Sequence, residues 1–379
     1  MASNEELLIN VTPRETRVAV VENGMLQELH IERSSKRGVY GNIYKGRVQR
    51  VMPGMQAAFV DIGLERTAFL HASDIVLANA QQLASESVES ETKPQPLITA
   101  LVHEGQEIIV QVIKDPIGTK GARLTTEISI PSRYLVLLPD SQLIGVSSRI
   151  DADAERQRLK TLLQGYAERT GFGYIVRTNA EGIDEAFIEQ DIAYLGRAIG
   201  VLKQRRQSAK VGECIYEDLS LPMRAVRDML HADVANVLID SRESFEKVQR
   251  FAQQLMPELA GRMQLYDGAR PIFDSYSVED EISRALKKEV PLKSGGYLVF
   301  DQTEAMTAVD INTGSFLGQK RLEETAYRTN LEAAQAVARQ LRLRNLGGII
   351  IIDFIDMHDD EHRRQVLRTL EKGLALDHV

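Results

Sequence analysis

Ile349-Ile350-Ile351-Ile352-Asp353-Phe354-Ile355-Asp356 and Thr307-Ala308-Val309-Asp310-Ile311-Asn312 set the terms on which this chain is read. Each begins with a short, β-branched apolar run, which reads as a buried strand because it is too brief for a helix. An acid at the end of a buried strand is costly unless something pairs with it. Two such acids brought together repel unless a cation sits between them. Mg²⁺ takes oxygen ligands, uses one or two carboxylates and keeps several waters. Asp310 and Asp353 therefore suggest a metal site of the kind that serves phosphodiester chemistry. The alternative is that both acids cap helices or turns after their strands.

Working outward, a helix is expected over 322–344, stopped by Gly347-Gly348. Before it come a helix over 278–288 and strands over 297–300 and 306–311, and after it a helix over 361–376. The last quarter is thus α/β. The N-terminal end reads as strands at 7–11, 16–21 and 26–31, with Gly24 at a turn. From about Gly38, short strands at 43–48, 57–63 and 68–71, separated by Gly and Pro, suggest a small barrel. A polar stretch from about Ala78 to Pro96 reads as a surface insertion. Strands follow at 107–113, 124–130 and 134–138, then a helix over 152–167, a strand at 174–177 and a helix over 185–203. Residues 220–262 read as mainly helical, broken by Val237-Leu238-Ile239-Asp240. No internal repeat is visible.

With 379 residues, 43% hydrophobic and 26% charged, the chain has an ordinary globular balance and room for two or three domains. The net charge of -8 excludes a global basic field, so nucleic-acid binding must use local patches. Lys36, Arg37, Lys45, Arg47 and Arg50 form one, Lys203, Arg205 and Arg206 another, Arg339, Arg342 and Arg344 a third; each on its own is more often a solvated face than a binding site. The single cysteine, Cys214, permits no intrachain disulfide. The polar, acidic start is unlike a signal peptide, and no apolar run approaches the ~20 residues of a membrane span. The expected compartment is the cytoplasm.

Phe59 and Phe69 fall on neighbouring strands of the expected barrel, with Lys45, Lys114 and Lys120 on flanking strands or loops. Exposed aromatics beside lysines stack bases and hold phosphates of single-stranded nucleic acid. On the residues alone both rings read rather as barrel core, since Phe is usually buried. Arg177-Thr178 suits a terminal phosphate, although a lone Arg reads as a surface ion-pair residue. Asp356 suits a second acid near the metal, but better an N-cap. His358 and His362 lack an HExxH pattern and read as a solvent-facing helix start.

Asn42-Ile43-Tyr44-Lys45-Gly46, Gln56-Ala57-Ala58-Phe59-Val60-Asp61-Ile62-Gly63 and Lys120-Gly121-Ala122-Arg123-Leu124-Thr125-Thr126 resemble the ribonuclease E/G family. So do Ser294-Gly295-Gly296, Thr303-Glu304-Ala305, Val309-Asp310-Ile311-Asn312 and Asp353-Phe354-Ile355-Asp356-Met357. The similarity runs from about Leu7 to Gly373 and is nearest to the family's shorter branch. It implies an α+β multidomain fold: an RNase H-like subdomain (1–38 and 222–285) with an inserted S1 (OB-type) barrel (39–125) and a 5′-sensor region (126–221), then a DNase I-like catalytic α/β subdomain (286–379).

By resemblance, the metal-binding aspartates fall on Asp310 and Asp353, the catalytic asparagine on Asn312, and the S1 RNA-binding residues on Phe59, Phe69, Lys114 and Lys120. The 5′-phosphate pocket falls on Arg177, Thr178 and Val136. The implied activity is Mg²⁺-dependent endonucleolytic cleavage of single-stranded, A/U-rich RNA, leaving 3′-hydroxyl and 5′-phosphate ends. A 5′-monophosphate is preferred, and the S1 face holds RNA against the site. The implied roles are 16S rRNA 5′-end maturation and mRNA turnover, so the partners are rRNA precursor and mRNA. Family members continue with a CPxC-type cysteine pair that shares zinc across a homodimer. Cys214 is in no such motif, and the chain stops inside a helical pattern, so the expectation is a C-terminal truncation without that zinc. A non-catalytic single-stranded RNA-binding fragment is the competing class, and a DNA nuclease a weaker third.

Overall fold

In the computed structural model, residues 5–76, 96–116, 118, 120–231, 233–313, 322–375 and 377 are described. Of the expected polar insertion, about Ala78 to Pro96, all but Pro96 lies outside them. Strands β1 (Glu5–Val11), β2 (Glu15–Glu22) and β3 (Met25–Arg33) form an antiparallel meander. Leu7, Leu8 and Ile9 are fully buried, with Val18, Ala19 and Val21 beside them. The β2–β3 turn is Asn23-Gly24, whose φ values of 50° and 76° give the left-handed pair that matches strand twist.

The contacts divide the chain into two compact units, Ser35–Met229 with Arg250–Ala260 and the remainder. The first of these holds a barrel: β4 (Ile43–Met52), β5 (Ala57–Asp61), β6 (Ala68–His71), β7 (Glu107–Lys114) and β8 (Arg123–Thr125), with the short helix α1 (Ile98–Leu101) between β6 and β7. The order β4-β5-β6-β8-β7 closes through β4–β7 pairing, so the ring has no edge. Val48, Ala58, Val60, Leu70, Val110 and Leu124 fill it. The strand expected over 124–130 is broken: β8 stops at Thr125 and β9 (Ile130–Pro131) belongs to another sheet. That sheet, of order β11-β12-β10-β9, uses β10 (Leu135–Leu138), β11 (Ile144–Val146) and β12 (Gly173–Val176). Helices α2 (Asp153–Thr170) and α3 (Glu185–Ser208) give it Leu159, Leu163, Ile188 and Leu195 as core. Strand β13 (Cys214–Tyr216) then pairs with β4, and α4 (Leu221–Met229) follows.

In the other unit, β14 (Val234–Ile239) joins β1 in parallel, and Asp240 beyond it accepts from Asn10 Nδ2 at 2.6 Å and the Val11 amide at 2.8 Å. After α5 (Arg242–Leu255), whose residues from Arg250 on belong to the first unit, β15 (Met263–Leu265) completes the order β15-β14-β1-β2-β3. Helices α6 (Ile272–Ser275) and α7 (Val278–Ala285) lead to a last sheet of β16 (Glu289–Pro291), β17 (Tyr297–Gln302), β18 (Met306–Asn312) and β19 (Ile349–Asp353). Helix α8 (Leu322–Arg344) makes the β18–β19 crossover, and α9 (Asp360–Leu374) follows. Among the described residues no helix is long and apolar enough to cross a membrane.

The Arg339, Arg342 and Arg344 patch proves to be internal, and the exposed N-terminal one is largely paired with acids. Arg342 pairs with Glu28 at 2.6 Å, and Arg339 donates to the Leu26 carbonyl at 3.0 Å and pairs with Glu281, so α8 is tied to β3 and α7. Arg344 lies 4.5 Å over the Phe300 ring. In the N-terminal patch, Arg37 pairs with Glu217, and Lys45 and Arg47 share Glu107. Burial alone pushes the Glu28 carboxyl up, but His30 and Arg342 together hold it down to about 2, from an ordinary 4.5. A depressed carboxyl stabilises above its unfolded value and loses that contribution as pH falls through its folded one. The stability advantage of the wild type over Glu28→Gln is therefore expected to be on the order of 3 kcal/mol near neutrality and to vanish between about pH 4.5 and 2. Thermal melts of both proteins across that range test this; a pH-independent difference would refute it.

Candidate active site and nucleic-acid interface

Strand β18 alternates: Thr307, Val309 and Ile311 point inward and Ala308 and Asp310 outward. Its parallel neighbour β19 pairs in register, so Asp310 lies directly opposite Asp353. Side chains opposite each other in a parallel pair share a face, with strands about 4.8 Å apart. Asn312, two residues on and on that face, donates from Nδ2 to Asp310 Oδ2 at 2.9 Å. Asp310, Asn312, Thr313, Asp353 and Asp356 line an open cleft of about 350 Å³.

The structure corrects the premise that these acids end buried strands. Among the described residues only one face of the sheet is packed, by Leu298, Phe300, Val309 and Ile311 against Ala333, Val337 and Leu341 of α8. Ile349 and Ile351 are 60% and 51% exposed, and both aspartates stand on that open face. Asp356 lines the cleft and is no helix cap; Asp359 fills that role, accepting from the Glu361 amide at 2.7 Å. His362 is not solvent-facing either: its ring stacks on Tyr327 at 4.0 Å. His358 is exposed.

Groups that sequence reasoning missed shape the cleft from behind. Asn330, fully buried on α8, donates to the Ile355 carbonyl at 2.8 Å and accepts its amide at 3.1 Å, which pins the loop after Asp353. Glu332 accepts from the Ser294 and Lys293 amides. A Cβ on Gly296 would lie 2.5 Å from the Asn312 carbonyl, so only glycine lets that loop approach β18. The available signal was Thr329-Asn330, a polar pair one turn from the buried Ala326, Ala333 and Ala334. Among the described residues no three His, Cys, Asp or Glu form a metal cluster. The cleft's donors are all oxygens and amide, with two carboxylates facing each other. That set fits a hard cation that keeps most of its waters, as Mg²⁺ does, and not a thiolate- or imidazole-seeking metal.

On the barrel, Phe59 and Phe69 are direct cross-strand partners and both rings point outward, while Ala58, Val60, Ala68 and Leu70 point in. They are thus not barrel core. They meet edge-to-face at 6.1 Å, and His71 continues the row, 6.3 Å from Phe69. A groove of about 1030 Å³ contains Phe59, Phe69, Lys114, Lys120, Arg66 and Arg123. Arg123 is engaged by Asp74 at 2.8 Å, whereas Lys114 and Lys120 have no ion-pair partner among the described residues. Lys45 lies apart, bonded to Glu107 and the Ala209 carbonyl.

In the β11-β12-β10-β9 sheet, Arg177 follows β12 at once and Thr178 opens a short 3₁₀ turn. Val136 sits on the adjacent strand, opposite Ile175. The Arg177 amide donates to the Tyr134 carbonyl at 2.8 Å, and the Thr178 hydroxyl is 3.0 Å from that of Ser147. Behind them Asp191, 1% exposed, accepts from the Ser132 hydroxyl and the Tyr134 and Leu135 amides. Its burial pushes its carboxyl above the usual range.

A closed barrel with an outward aromatic row, joined in one chain to a sheet bearing facing carboxylates, is the architecture of a nucleic-acid-processing protein of the α+β multidomain class. Family models give the class its name: residues 40–125 match the S1 RNA binding domain and residues 129–379 the Ribonuclease E/G family. The chain belongs to the ribonuclease E/G family, as its motifs suggested. It is 53% identical over 374 residues to Ribonuclease G of Escherichia coli strain K12, covering 99% of this chain and 76% of that protein. Ribonuclease G of Haemophilus influenzae is 52% identical over 374 residues, 99% of this chain and 75% of that one. Similarity to Ribonuclease E of Escherichia coli strain K12 is 39% over 376 residues, 98% of this chain and 35% of that one.

Proposed function

We propose that the protein is a Mg²⁺-dependent endoribonuclease that cuts single-stranded, A/U-rich RNA, with preference for 5′-monophosphorylated ends. The observation that carries this reading is the in-register pair Asp310 and Asp353 on an open sheet face, with Asn312 bonded to one of them. Asp310 and Asp353 hold the ion. Bound there, Mg²⁺ would supply Lewis acidity toward a phosphoryl oxygen and a coordinated water. Asn312 steadies the Asp310 carboxylate through Nδ2 and leaves its carbonyl oxygen to orient a ligand or the scissile phosphate. Cleavage leaves a 3′-hydroxyl and a 5′-phosphate. Phe59 and Phe69 stack bases, and Lys114 and Lys120 hold phosphates. Arg177, Thr178 and Val136 form the 5′-phosphate pocket.

The relatives' names and the family match support this reading. Residues 1–38 and 222–285 are assigned as RNase H-like, 39–125 as S1, 126–221 as sensor and 286–379 as DNase I-like. The physiological work is maturation of the 16S rRNA 5′ end and mRNA turnover, in the cytoplasm and as a homodimer. Incubation with 5′-monophosphorylated, A/U-rich RNA in Mg²⁺ or in EDTA tests the activity. Internal cuts are expected only with the metal. Tight binding without cuts would instead mark a single-stranded RNA-binding protein, and cutting that persists in EDTA would refute the metal role.

A further inference from the structure

The Arg177 guanidinium is held from one side only. Its Nη1 donates to the Ser132 carbonyl at 2.6 Å and to Asp228 Oδ1 at 2.7 Å, which uses both Nη1 hydrogens. Among the described residues, Nε and Nη2 make no hydrogen bond within the protein. Asp228 is itself fixed. Arg227, 6% exposed, donates to it from Nε at 3.0 Å and from Nη2 at 2.8 Å. Burial pushes the Asp228 carboxyl up, but Arg227 and then Arg177 hold it below the usual range, so it stays ionised. The other anchor, Ser132, is fixed by Asp191, which takes its hydroxyl at 2.6 Å.

We infer that Asp228 is a positioning residue of the 5′-end pocket: clamped by Arg227, it pins Arg177 by Nη1 and so presents the Nε–Nη2 edge of that guanidinium to a terminal phosphate. This inference rests on the reading of Arg177 as the phosphate-binding residue. The Nε–Nη2 edge carries two parallel N–H groups, the geometry that engages two oxygens of one phosphate. Arg227 also faces Asp218 at 4.0 Å, and Asp218 faces Arg224 at 3.8 Å, so three guanidinium charges stand against two carboxylates and the cluster still attracts an anion although Arg177 is paired. An unanchored arginine must lose its rotamer freedom on binding; one held at Nη1 has lost it on folding.

The test compares cleavage of matched RNAs bearing a 5′-monophosphate or a 5′-hydroxyl. Asp228→Asn removes the charge at constant shape, and Asp228→Glu keeps the charge but displaces the acceptor. Both are expected to lower the monophosphate-to-hydroxyl ratio of kcat/KM by about five- to tenfold, with the fall carried by KM rather than kcat. A carboxylate that only stabilises the fold would depress both RNAs in parallel and leave the ratio at its wild-type value, which would overturn the inference. If Asp228→Asn does not fold, Asp228→Glu decides alone on the same ratio. Arg177→Gln is run beside them. A wild-type ratio in Arg177→Gln overturns the phosphate reading and this inference with it. A lowered ratio there, with wild-type ratios in both Asp228 variants, overturns the inference alone.

Discussion

Asp310→Asn is expected to reduce cleavage by about a thousandfold or more, while the affinity for single-stranded RNA stays within about twofold. The size follows from what is lost. A carboxylate opposite a second carboxylate supplies half the charge that holds a divalent cation, and metal chemistry contributes several kcal/mol to the barrier. The fold should survive, because Asp310 is exposed and an amide oxygen at that position still accepts from Asn312 Nδ2. Binding should survive because the aromatic row lies in the barrel, in the other compact unit. Single-turnover cleavage and a direct binding titration on the same preparation measure both. A variant that cuts at the wild-type rate would remove Asp310 from the reaction.

Phe69→Ala is expected to weaken single-stranded RNA binding by about ten- to a hundredfold, with Phe59→Ala weaker in effect but in the same direction. A base stacked on an aromatic ring contributes about 1–3 kcal/mol. Phe69 is the central ring: it contacts Phe59 on one side and His71 on the other. Because these rings touch, the double variant should lose less than the sum of the singles. Neither ring is barrel core, so melting temperature should hardly move. Fluorescence anisotropy with an unstructured oligonucleotide measures the affinity. Unaltered binding in a folded Phe69→Ala protein would return these residues to a purely structural role.

The two aspartates stand out in the sequence, but the burial that singles them out there is absent from the fold. A run of four isoleucines looks buried on both faces, because composition says nothing about what covers a sheet. Only the alternating exposure of Ile349, Ile350, Ile351 and Ile352 shows a one-sided strand. Helix α8 was legible to both ends, 322 and 344, because a long amphipathic repeat followed by Gly347-Gly348 carries its own stop signal. Strands β11, β13, β15 and β16 were invisible, since three residues hold too little periodicity and each exists only through its partner. The same holds for Asp191, Asp228 and Asn330. Each is an ordinary polar residue along the chain, and its meaning comes from a partner some 25 to 59 positions away. Charge runs misled for a related reason: Arg339 and Arg342 look like a basic surface until their acids on other elements are known.

The Asp310–Asp353 pairing depends on a count as well as on chemistry. The two positions meet because Met306 pairs with Ile349 and the strands then advance together for four further steps. Side chains on a strand change sides at every residue, so a slip of one would send Asp353 through the sheet to the face covered by α8. Length changes in the 313–348 crossover are therefore unequal in consequence. Those that leave the β18–β19 register unchanged leave the site whole. A single residue deleted within β19 itself would destroy it with both aspartates still present, a defect that an inventory of residues would never register.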